Sequence, residues 1–208
     1  MSKIQELYEG VMKGKREIVI ATIEQALADG ISGTELLDDS MIPAMREMGD
    51  RFSRNEVYVP EMLIAARAMQ AGLVKIEPIL ISENHEALGT VCIGTVKGDL
   101  HDIGKNLVAI MLKGAGYEVI DLGVNCDANK FSQAVNDGAN IVLCSALLTT
   151  TMTYMKDIVE NFKGKENVHV LIGGAPVTQE YADQIGASGY SSDANGAVKL
   201  VDSILKAS

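Results

Sequence analysis

From about residue 91 onward, short apolar runs typical of buried strands alternate with stretches of helical periodicity. The strand-like runs lie at 91–96, 118–122, 141–144, 168–172 and, more weakly, 188–190. The helical stretches that separate and follow them lie at 104–113, 128–137, 152–162, 178–185 and 195–205. Strands that alternate with helices are joined by right-handed crossovers and form a parallel sheet covered on both faces. The pattern therefore predicts a Rossmann-like, flavodoxin-type domain.

The first eighty-odd residues carry helical patterns and no strand-like run. Helices are predicted at 4–12 and 15–29, and residues 32–35 form a capping box that opens a third helix. Pro43 is expected to kink or interrupt this third helix, whereas Pro60 suits the first turn of a fourth. The apolar stripes of these helices predict a four-helix bundle.

A polar segment, 82–89, breaks the helical period between the two parts of the chain. We expect it to link a helical domain, 1–86, to the Rossmann-like domain, 87–208.

The loop between the first strand and the first helix of the second domain reads Gly-Asp-Leu-His-Asp-Ile-Gly-Lys-Asn, residues 98–106. In an open parallel sheet, the loops at the carboxyl ends of the strands form the ligand crevice, above all at the switch in strand order. His101 is flanked by Asp99 and Asp102, and a carboxylate bonded to one imidazole nitrogen favours metal ligation by the other. These residues alone leave an alternative open, in which Asp102 caps the following helix and His101 is a solvated loop residue.

Three elements of the second domain together resemble the signature of cobalamin-binding domains in which a protein histidine displaces the lower base of the cofactor. These elements are Asp99-x-His101-x-x-Gly104, Ser145-Ala-Leu147 and Gly173-Gly174. From about residue 5 to its end, the chain resembles the corrinoid proteins of methyltransferase systems. These proteins share their two-domain cobalamin module with methionine synthase.

The resemblance implies that His101 is the lower ligand of cobalt and that Asp99 and Thr151 complete a hydrogen-bond relay to it. Methionine synthase has a serine at the relay position, so Thr151 is a departure that keeps the hydroxyl. Ser145 and Thr149 would contact the nucleotide tail of the cofactor. Further cofactor contacts are implied for Asp102, Ile103, Gly104, Leu147, Gly173 and Gly174. Read without the resemblance, the glycines are ordinary turn residues and 149–151 is an ordinary helix start.

The helical domain resembles the bundle that caps the upper, reactive face of the corrin in methionine synthase. The matching motif runs from Asp50-Arg-Phe-Ser to Val59-Pro-Glu-Met62, although the connecting sequence departs from the family pattern. The resemblance implies that Phe52, Val59 and Met62 lie over the cobalt. The alternative is that the methionines of this domain are adaptable core filler.

The resemblance implies a corrinoid methyl carrier, the cofactor-carrying component of a methyltransferase system. Such a carrier accepts a methyl group on Co(I) from a donor-side methyltransferase and passes it to an acceptor-side methyltransferase. A reductive activator of the corrinoid is a third expected partner.

The charge and hydropathy of the chain exclude other classes of partner. A net charge of −10 argues against nucleic acid, because binding nucleic acid depends on Lys and Arg that neutralise phosphates. No apolar run approaches the roughly 20 residues of a membrane span, and the N-terminus lacks the apolar core of a signal peptide. We therefore expect a cytoplasmic protein. Cys92 and Cys144 lie in strand-like runs and are predicted to be packing residues, while Cys126 has no predicted role.

Two alternative functions come from other classes. The motif Gly98-Asp99-x-His101 resembles the first metal-binding motif of metallophosphoesterases, but the remaining histidines, His85 and His169, stand in no matching motif. A cobalamin sensor or the small cobalamin-binding subunit of a mutase is the other alternative. A sensor would add a DNA-binding helix-turn-helix, and a mutase would add or bind a large barrel.

Overall fold

The computed structural model describes residues 2–165 and 167–207. The chain divides into two compact units, of which the first comprises the residues up to Glu86 together with Gly114–Gly116. The second unit comprises Ala87–Lys113 and the residues from Tyr117 onward. The predicted fold class is confirmed, because helices make up the first unit and a parallel sheet with helices makes up the second.

The first unit is a set of helices with a buried apolar core. Its elements are α1 (Lys3–Met12), α2 (Arg16–Ala28), α3 (Gly33–Leu36), a π-helical turn (Leu37–Met41), α4 (Ile42–Ser53) and α5 (Val59–Ser82). Since α3, the π-helical turn and α4 follow one another without a break, the unit forms four helical rods. The largest side chains that are fully buried in this unit are Leu7, Ile23, Leu36, Met41, Met62 and Ile76.

The predicted helix signals in this unit act as expected. The Ser32 hydroxyl accepts a hydrogen bond from the Glu35 amide at 3.0 Å and so caps α3. Pro43 lies in the first turn of α4, directly after the π-helical turn, so the α-helical hydrogen-bond pattern is interrupted there although the rod continues. Pro60 lies in the first turn of α5, where its missing N–H costs no helical hydrogen bond.

The second unit is a five-stranded parallel sheet with helices between the strands. Its elements are β1 (Thr90–Thr95), α6 (Ile103–Gly114), β2 (Glu118–Asp121), α7 (Ala128–Asn136), β3 (Ile141–Ser145), α8 (Tyr154–Phe162), β4 (His169–Gly173), α9 (Gln179–Ile185), β5 (Gly189–Ser191) and α10 (Ala194–Ala207). The strand order is β2-β1-β3-β4-β5, with every pairing parallel. The order therefore reverses between β1 and β3, which makes that boundary the expected ligand crevice.

The register of the sheet aligns the ends of the three central strands. Thr95 pairs with Ser145, and Ser145 pairs with Gly173. The loops that carry Asp99, Leu147 and Gly174 therefore start side by side at one edge of the sheet.

Cysteines fill part of the core on one face of this sheet. Cys92 and Cys144 are buried, as predicted, and Cys126 is buried in the same cluster with Phe131 and Met155. Burial raises the pKa of the Cys92 thiol to about 12 and also raises the pKa of Cys144 and Cys126. The three thiols are therefore packing groups. Within the described part of the chain, no helix has the length and apolarity that a membrane crossing needs.

Candidate cofactor-binding site

The loop after β1 turns sharply and buries a carboxylate. Gly98 has φ +80°, a left-handed value that favours glycine, and its amide donates to the Asn125 side-chain oxygen at 2.8 Å. The Asp99 amide closes the turn by donating to the Val96 carbonyl at 3.1 Å. The Asp99 side chain is fully buried as a result.

Four hydrogen bonds satisfy the buried Asp99 carboxylate. Its Oδ1 accepts from the His101 amide at 3.0 Å and lies 2.7 Å from His101 Nδ1. Its Oδ2 accepts from the Leu147 amide at 2.8 Å and from the Thr151 hydroxyl at 2.6 Å. Burial alone raises the pKa of Asp99, but these four donors outweigh burial and hold its pKa well below the usual range of a carboxyl. Asp99 is therefore ionised at neutral pH.

The geometry of His101 fixes which ring nitrogen faces a ligand. The carboxylate of Asp99 is an acceptor only, so Nδ1 carries the proton and donates it. In the neutral ring the lone pair is then on Nε2, and 52% of the side chain is exposed. A half-exposed imidazole whose second nitrogen is fixed by a carboxylate has the arrangement of a metal-ligating histidine.

The two carboxylates that flank His101 differ in role. Asp102 is exposed, and its Oδ2 accepts from the Asn106 side-chain amide at 3.1 Å. Its backbone carbonyl accepts from the Asn106 amide at 2.7 Å in the first turn of α6. Asp102 thus supports the start of this helix, whereas Asp99 orients the histidine. Asp102 can therefore support the helix while Asp99 is the partner of His101, so the two interpretations are compatible.

Thr151 joins the loop after β3 to the same carboxylate. The structure brings His101, Asp99 and Thr151 into one hydrogen-bonded chain, although Thr151 lies 52 residues beyond Asp99. Thr151 is buried, so water does not replace its hydroxyl. Both loops that flank the switch point therefore meet at one carboxylate.

The three glycines expected near the cofactor differ in how much space a side chain would find at each position. Gly174 has φ +130°, and a Cβ at this position would lie 1.9 Å from the Ala146 carbonyl oxygen. A Cβ at Gly173 would lie 3.1 Å from the Ser191 carbonyl oxygen. A Cβ at Gly104 would meet nothing within 4 Å. Loop packing therefore requires glycine at position 174 even without a cofactor, whereas open space surrounds Gly104.

Exposed apolar side chains stand on the two loops that meet at Asp99. Ile103 is 81% exposed and Leu100 is 71% exposed, and Leu147 and Leu148 are also exposed. Because monomeric proteins rarely expose large apolar side chains together, such a group marks a ligand or interaction surface. The residues present fit a cobalamin: an imidazole nitrogen for the metal and apolar side chains for the macrocycle. The sequence interpretation missed Leu100 and Leu148, although both stand beside residues that it named.

The remaining predicted residues lie where their elements place them. Ser145 is half-buried at the end of β3, and Thr149 is exposed in the loop that follows. In the first unit, Phe52 is half-buried in the last turn of α4 and Val59 is half-buried at the start of α5. Met62 is fully buried, so its side chain has no exposed surface in this structure. Contact of these residues with a cofactor stays a prediction.

Replacing Asp99 with asparagine should lower the free energy of unfolding and make it depend less steeply on pH in acid. Every group around the carboxylate is a donor, so the amide NH₂ of Asp99→Asn would face a second donor. The folded pKa of Asp99 is depressed, so its contribution to stability is fully present above the unfolded pKa of about 4 and is lost as pH falls through the folded pKa. We expect the free energy of unfolding of Asp99→Asn to be lower at pH 7 by about 1–3 kcal/mol and to fall less steeply below about pH 4. Urea unfolding over a pH series measures both, and curves that overlay the wild type would contradict the assignment.

Two segments of the chain match protein-family models. Residues 89–199 match a model described as a B12 binding domain. Residues 3–77 match a second model, also described as a B12 binding domain.

Curated proteins similar to this chain are named corrinoid proteins. A corrinoid protein of Desulfitobacterium hafniense strain Y51 is 36% identical over 99% of this chain and 98% of its own length. The trimethylamine corrinoid protein of Methanosarcina barkeri is 39% identical over 97% of this chain and 96% of its own length.

The chain is also similar to solved structures of proteins from cobalamin systems. A chain of the methanol:cobalamin methyltransferase complex MtaBC from Methanosarcina barkeri matches with a TM-score of 0.87 and 27% identity, over 99% of this chain and 80% of that chain. A cobalamin-binding protein from Desulfitobacterium hafniense DCB-2 matches with a TM-score of 0.79 and 25% identity, over 98% of both chains. The similarity therefore extends over both units.

Proposed function

The chain belongs to the corrinoid proteins, which bind cobalamin, and from this membership we propose that it is the methyl carrier of a methyltransferase system. When bound, the cobalamin supplies a cobalt centre that, as Co(I), accepts a methyl group from a donor-side methyltransferase and gives it up to an acceptor-side one. The protein contributes the lower ligand, the shielding and the tuning of the cofactor. The relative solved within a methyltransferase complex supports methyltransferase partners. A reductive activator is a further proposed partner.

The observation that carries this proposal is the network centred on Asp99. It binds Nδ1 of His101 and leaves the side chain half-exposed, so Nε2 is the nitrogen free to act as a lower ligand of cobalt. Asp99 holds the tautomer and the ring orientation, and Thr151 holds Asp99 from its other oxygen. These three residues are proposed to set how strongly the imidazole binds the metal.

Other residues of the second unit are proposed to hold the rest of the cofactor. Ser145 and Thr149 offer hydroxyls for the nucleotide tail, and Gly104 leaves open space at the start of α6. Ile103 and Leu147 offer exposed apolar surface to the macrocycle. Asp102, Gly173 and Gly174 complete the proposed set.

Reconstitution tests the proposal directly. Purified apoprotein incubated with hydroxocobalamin and passed through a desalting column should elute coloured, with one corrinoid per chain and a histidine-ligated spectrum. If the cobalamin separates from well-folded protein, the proposed function is wrong.

The helical unit is proposed to cap the reactive face of the cofactor through Phe52, Val59 and Met62. Residues 87–208 alone should then still bind cobalamin, because the proposed ligand and its network lie within them. Photolysis of bound methylcobalamin should give a higher net yield than in the full chain, because fewer side chains retain the methyl radical. Circular dichroism would check that the shortened chain is folded, and equal yields in both proteins would remove the capping role.

The alternative functions have less support. Almost full-length relatives named corrinoid proteins favour a methyl carrier over a mutase subunit or a sensor. A metallophosphoesterase needs several metal ligands, and in residues 2–165 and 167–207 no group of three or more His, Cys, Asp or Glu is placed to hold a metal ion. The cytoplasmic location stays a prediction.

A further inference from the structure

A buried lysine lies four residues after the histidine. Lys105 is 3% exposed, and its ammonium group lies 2.6 and 2.7 Å from the two carboxylate oxygens of Asp121 and 2.7 Å from the side-chain oxygen of Asn106. Its three N–H donors are therefore all satisfied. Only the lysine is buried, since 38% of the Asp121 side chain is exposed, and the bonds of the ammonium group fix which groups lie together. Through these bonds, Lys105 joins the start of α6 to the end of β2.

One end of this ion pair holds the loop between β2 and α7. Asp121 Oδ1 also accepts from the Gly123 amide at 2.9 Å, and Gly123 has φ +76°. The Gly123 carbonyl in turn accepts from the Thr95 amide at 3.0 Å, and the Cys126 amide donates to the Thr95 carbonyl at 2.9 Å. The loop is thereby fixed to the end of β1, the strand that leads into the histidine loop.

Asn125, in the same loop, holds Gly98 and Asp99 directly. Its backbone amide donates to the Asp99 carbonyl at 3.0 Å, and its side-chain oxygen accepts from the Gly98 amide at 2.8 Å. Asn125 adopts φ +53°, a left-handed value that asparagine tolerates better than most residues. One residue thus fixes the backbone on both sides of the turn that places the Asp99 carboxylate.

The other end of the ion pair reaches the opposite side of the histidine. Asn106, whose side-chain oxygen accepts from Lys105, donates through its side-chain NH₂ to Asp102 at 3.1 Å. The network that starts at Lys105 therefore reaches the residue after His101 through Asn106 and the residues before it through Asp121 and Asn125. None of these side chains is hydrogen-bonded to the imidazole itself.

We propose that Lys105, Asp121 and Asn125 are positioning residues that hold the Gly98–Asp99 turn, and thereby determine what fraction of bound cobalamin carries His101 as its lower ligand. The proposal rests on the proposed function, since it concerns the same histidine. Lys105 and Asp121 hold the loop, Asn125 transmits its position to Asp99, and Asp99 orients the ring. The simpler view is that the ion pair only attaches α6 to β2, in which case Asn125 would not affect His101.

Substitutions at Asn125 separate these two views. Asn125→Gly removes the acceptor for the Gly98 amide while keeping the left-handed backbone free of strain. Asn125→Asp keeps an acceptor oxygen at nearly the same position. Asn84→Gly is the matched control, because Asn84 also has a left-handed φ of 54° but lies at the end of α5.

The readout is the ratio of histidine-ligated to histidine-free cobalamin in the full-length protein, taken from absorbance over a pH series. Loss of one hydrogen bond of ordinary strength corresponds to about a fivefold change in such a ratio. We expect Asn125→Gly to lower the ratio about fivefold, and Asn125→Asp and Asn84→Gly to stay within about twofold of the wild type. A wild-type ratio in Asn125→Gly, or an equal fall in Asn84→Gly, would overturn the proposal.

A second substitution tests whether the ion pair acts through the same loop. Lys105→Met keeps the apolar stem and removes the ammonium group, so we expect it to lower the ratio as well. If both residues act on one loop, the double variant Lys105→Met/Asn125→Gly should fall no further than the larger single effect, within about twofold. A fall equal to the product of the single effects would show separate routes and would overturn the shared route.

A measurement on the apoprotein distinguishes failure of this proposal from failure of the proposed function. The ¹⁵N chemical shifts of the His101 ring report which nitrogen carries the proton, without any cobalamin. We expect the Nδ1–H form to dominate in the wild type and in Asn125→Asp, and to lose population in Asn125→Gly. If the wild type bound no cobalamin through His101, the proposed function would fail while this measurement still decided whether Asn125 positions the ring. An unchanged tautomer in Asn125→Gly would overturn the positioning role in either case.

Discussion

Replacing His101 with alanine is expected to abolish histidine ligation of bound cobalamin in the full-length protein. No other ring nitrogen is available at this edge of the sheet, because the other two histidines are His85, whose ring pairs with Asp38, and His169, at the start of β4. The histidine-ligated absorbance spectrum should disappear, and the electron paramagnetic resonance signal of the Co(II) state should lose the nitrogen splitting that depends on ¹⁵N labelling of the protein. These two spectra measure the axial ligand directly.

The same substitution should leave the fold intact. His101→Ala keeps the backbone amide that donates to Asp99, and the Leu147 and Thr151 donors also remain. Only the ring bond is lost, and a hydrogen bond to a charged group contributes about 1.5–3 kcal/mol. His85→Ala serves as the control and should keep the histidine-ligated spectrum. If nitrogen splitting that depends on ¹⁵N labelling of the protein persisted in His101→Ala, another residue would be the lower ligand and the assignment of His101 would be wrong.

Replacing Gly174 with alanine is expected to destabilise the second unit strongly, even without cofactor. The new Cβ would lie 1.9 Å from the Ala146 carbonyl oxygen and 2.9 Å from its carbonyl carbon, and φ of +130° is a region that L side chains rarely adopt. Both contacts are with backbone, so no side-chain rotation relieves them. Backbone strain and overpacking together should cost about 2–5 kcal/mol of the free energy of unfolding.

The effect of Gly174→Ala should also reach the proposed ligand. Ala146 is followed by Leu147, whose amide donates to Asp99, so a displaced Ala146 would weaken the network that orients His101. We therefore expect a lower affinity for cobalamin in any folded fraction, measured by titration with hydroxocobalamin after urea unfolding has established the stability.

Gly104→Ala is the matched control for Gly174→Ala. A Cβ at Gly104 meets nothing within 4 Å, and alanine suits the first turn of a helix better than glycine by up to about 1 kcal/mol. The apoprotein should be at least as stable as the wild type, whereas cobalamin binding should weaken if the open space beside Gly104 holds the cofactor. If Gly174→Ala were as stable as Gly104→Ala, the packing argument for Gly174 would be wrong.

The sequence predicted the elements of this protein well because its local signals agree with one another. Alternating apolar runs and helical periods located every strand of the sheet to within one or two residues. Pro60 stands in the first turn of α5, as its fixed φ and missing N–H favour, and Pro43 follows the π-helical turn that interrupts the α-helical pattern of the third helix. The spaced motif around His101 predicted cobalamin, and the family comparisons confirm it.

Some assignments needed the tertiary structure because they depend on distance through space. Two carboxylates flank His101 in the sequence, and the resemblance alone assigned Asp99 to the relay. The fold shows that Asp99 bonds the ring and that Asp102 instead accepts from Asn106. Gly174 was expected to contact the cofactor, but its own close approach to the Ala146 carbonyl already requires glycine.

Local patterns reveal periodicity and turns, because these arise from neighbours a few residues apart. They do not reveal the positions of Asn125 and Lys105 beside the histidine loop, and the sequence predicted a role for neither residue. Each is an ordinary polar residue until the strand order β2-β1-β3 places the β2–α7 loop against the histidine loop. The sequence by itself thus determined the fold class and the class of cofactor, while the tertiary structure alone decided which further side chains hold the histidine loop in place, because hydrogen bonds join groups that only the folded sheet brings within 3 Å.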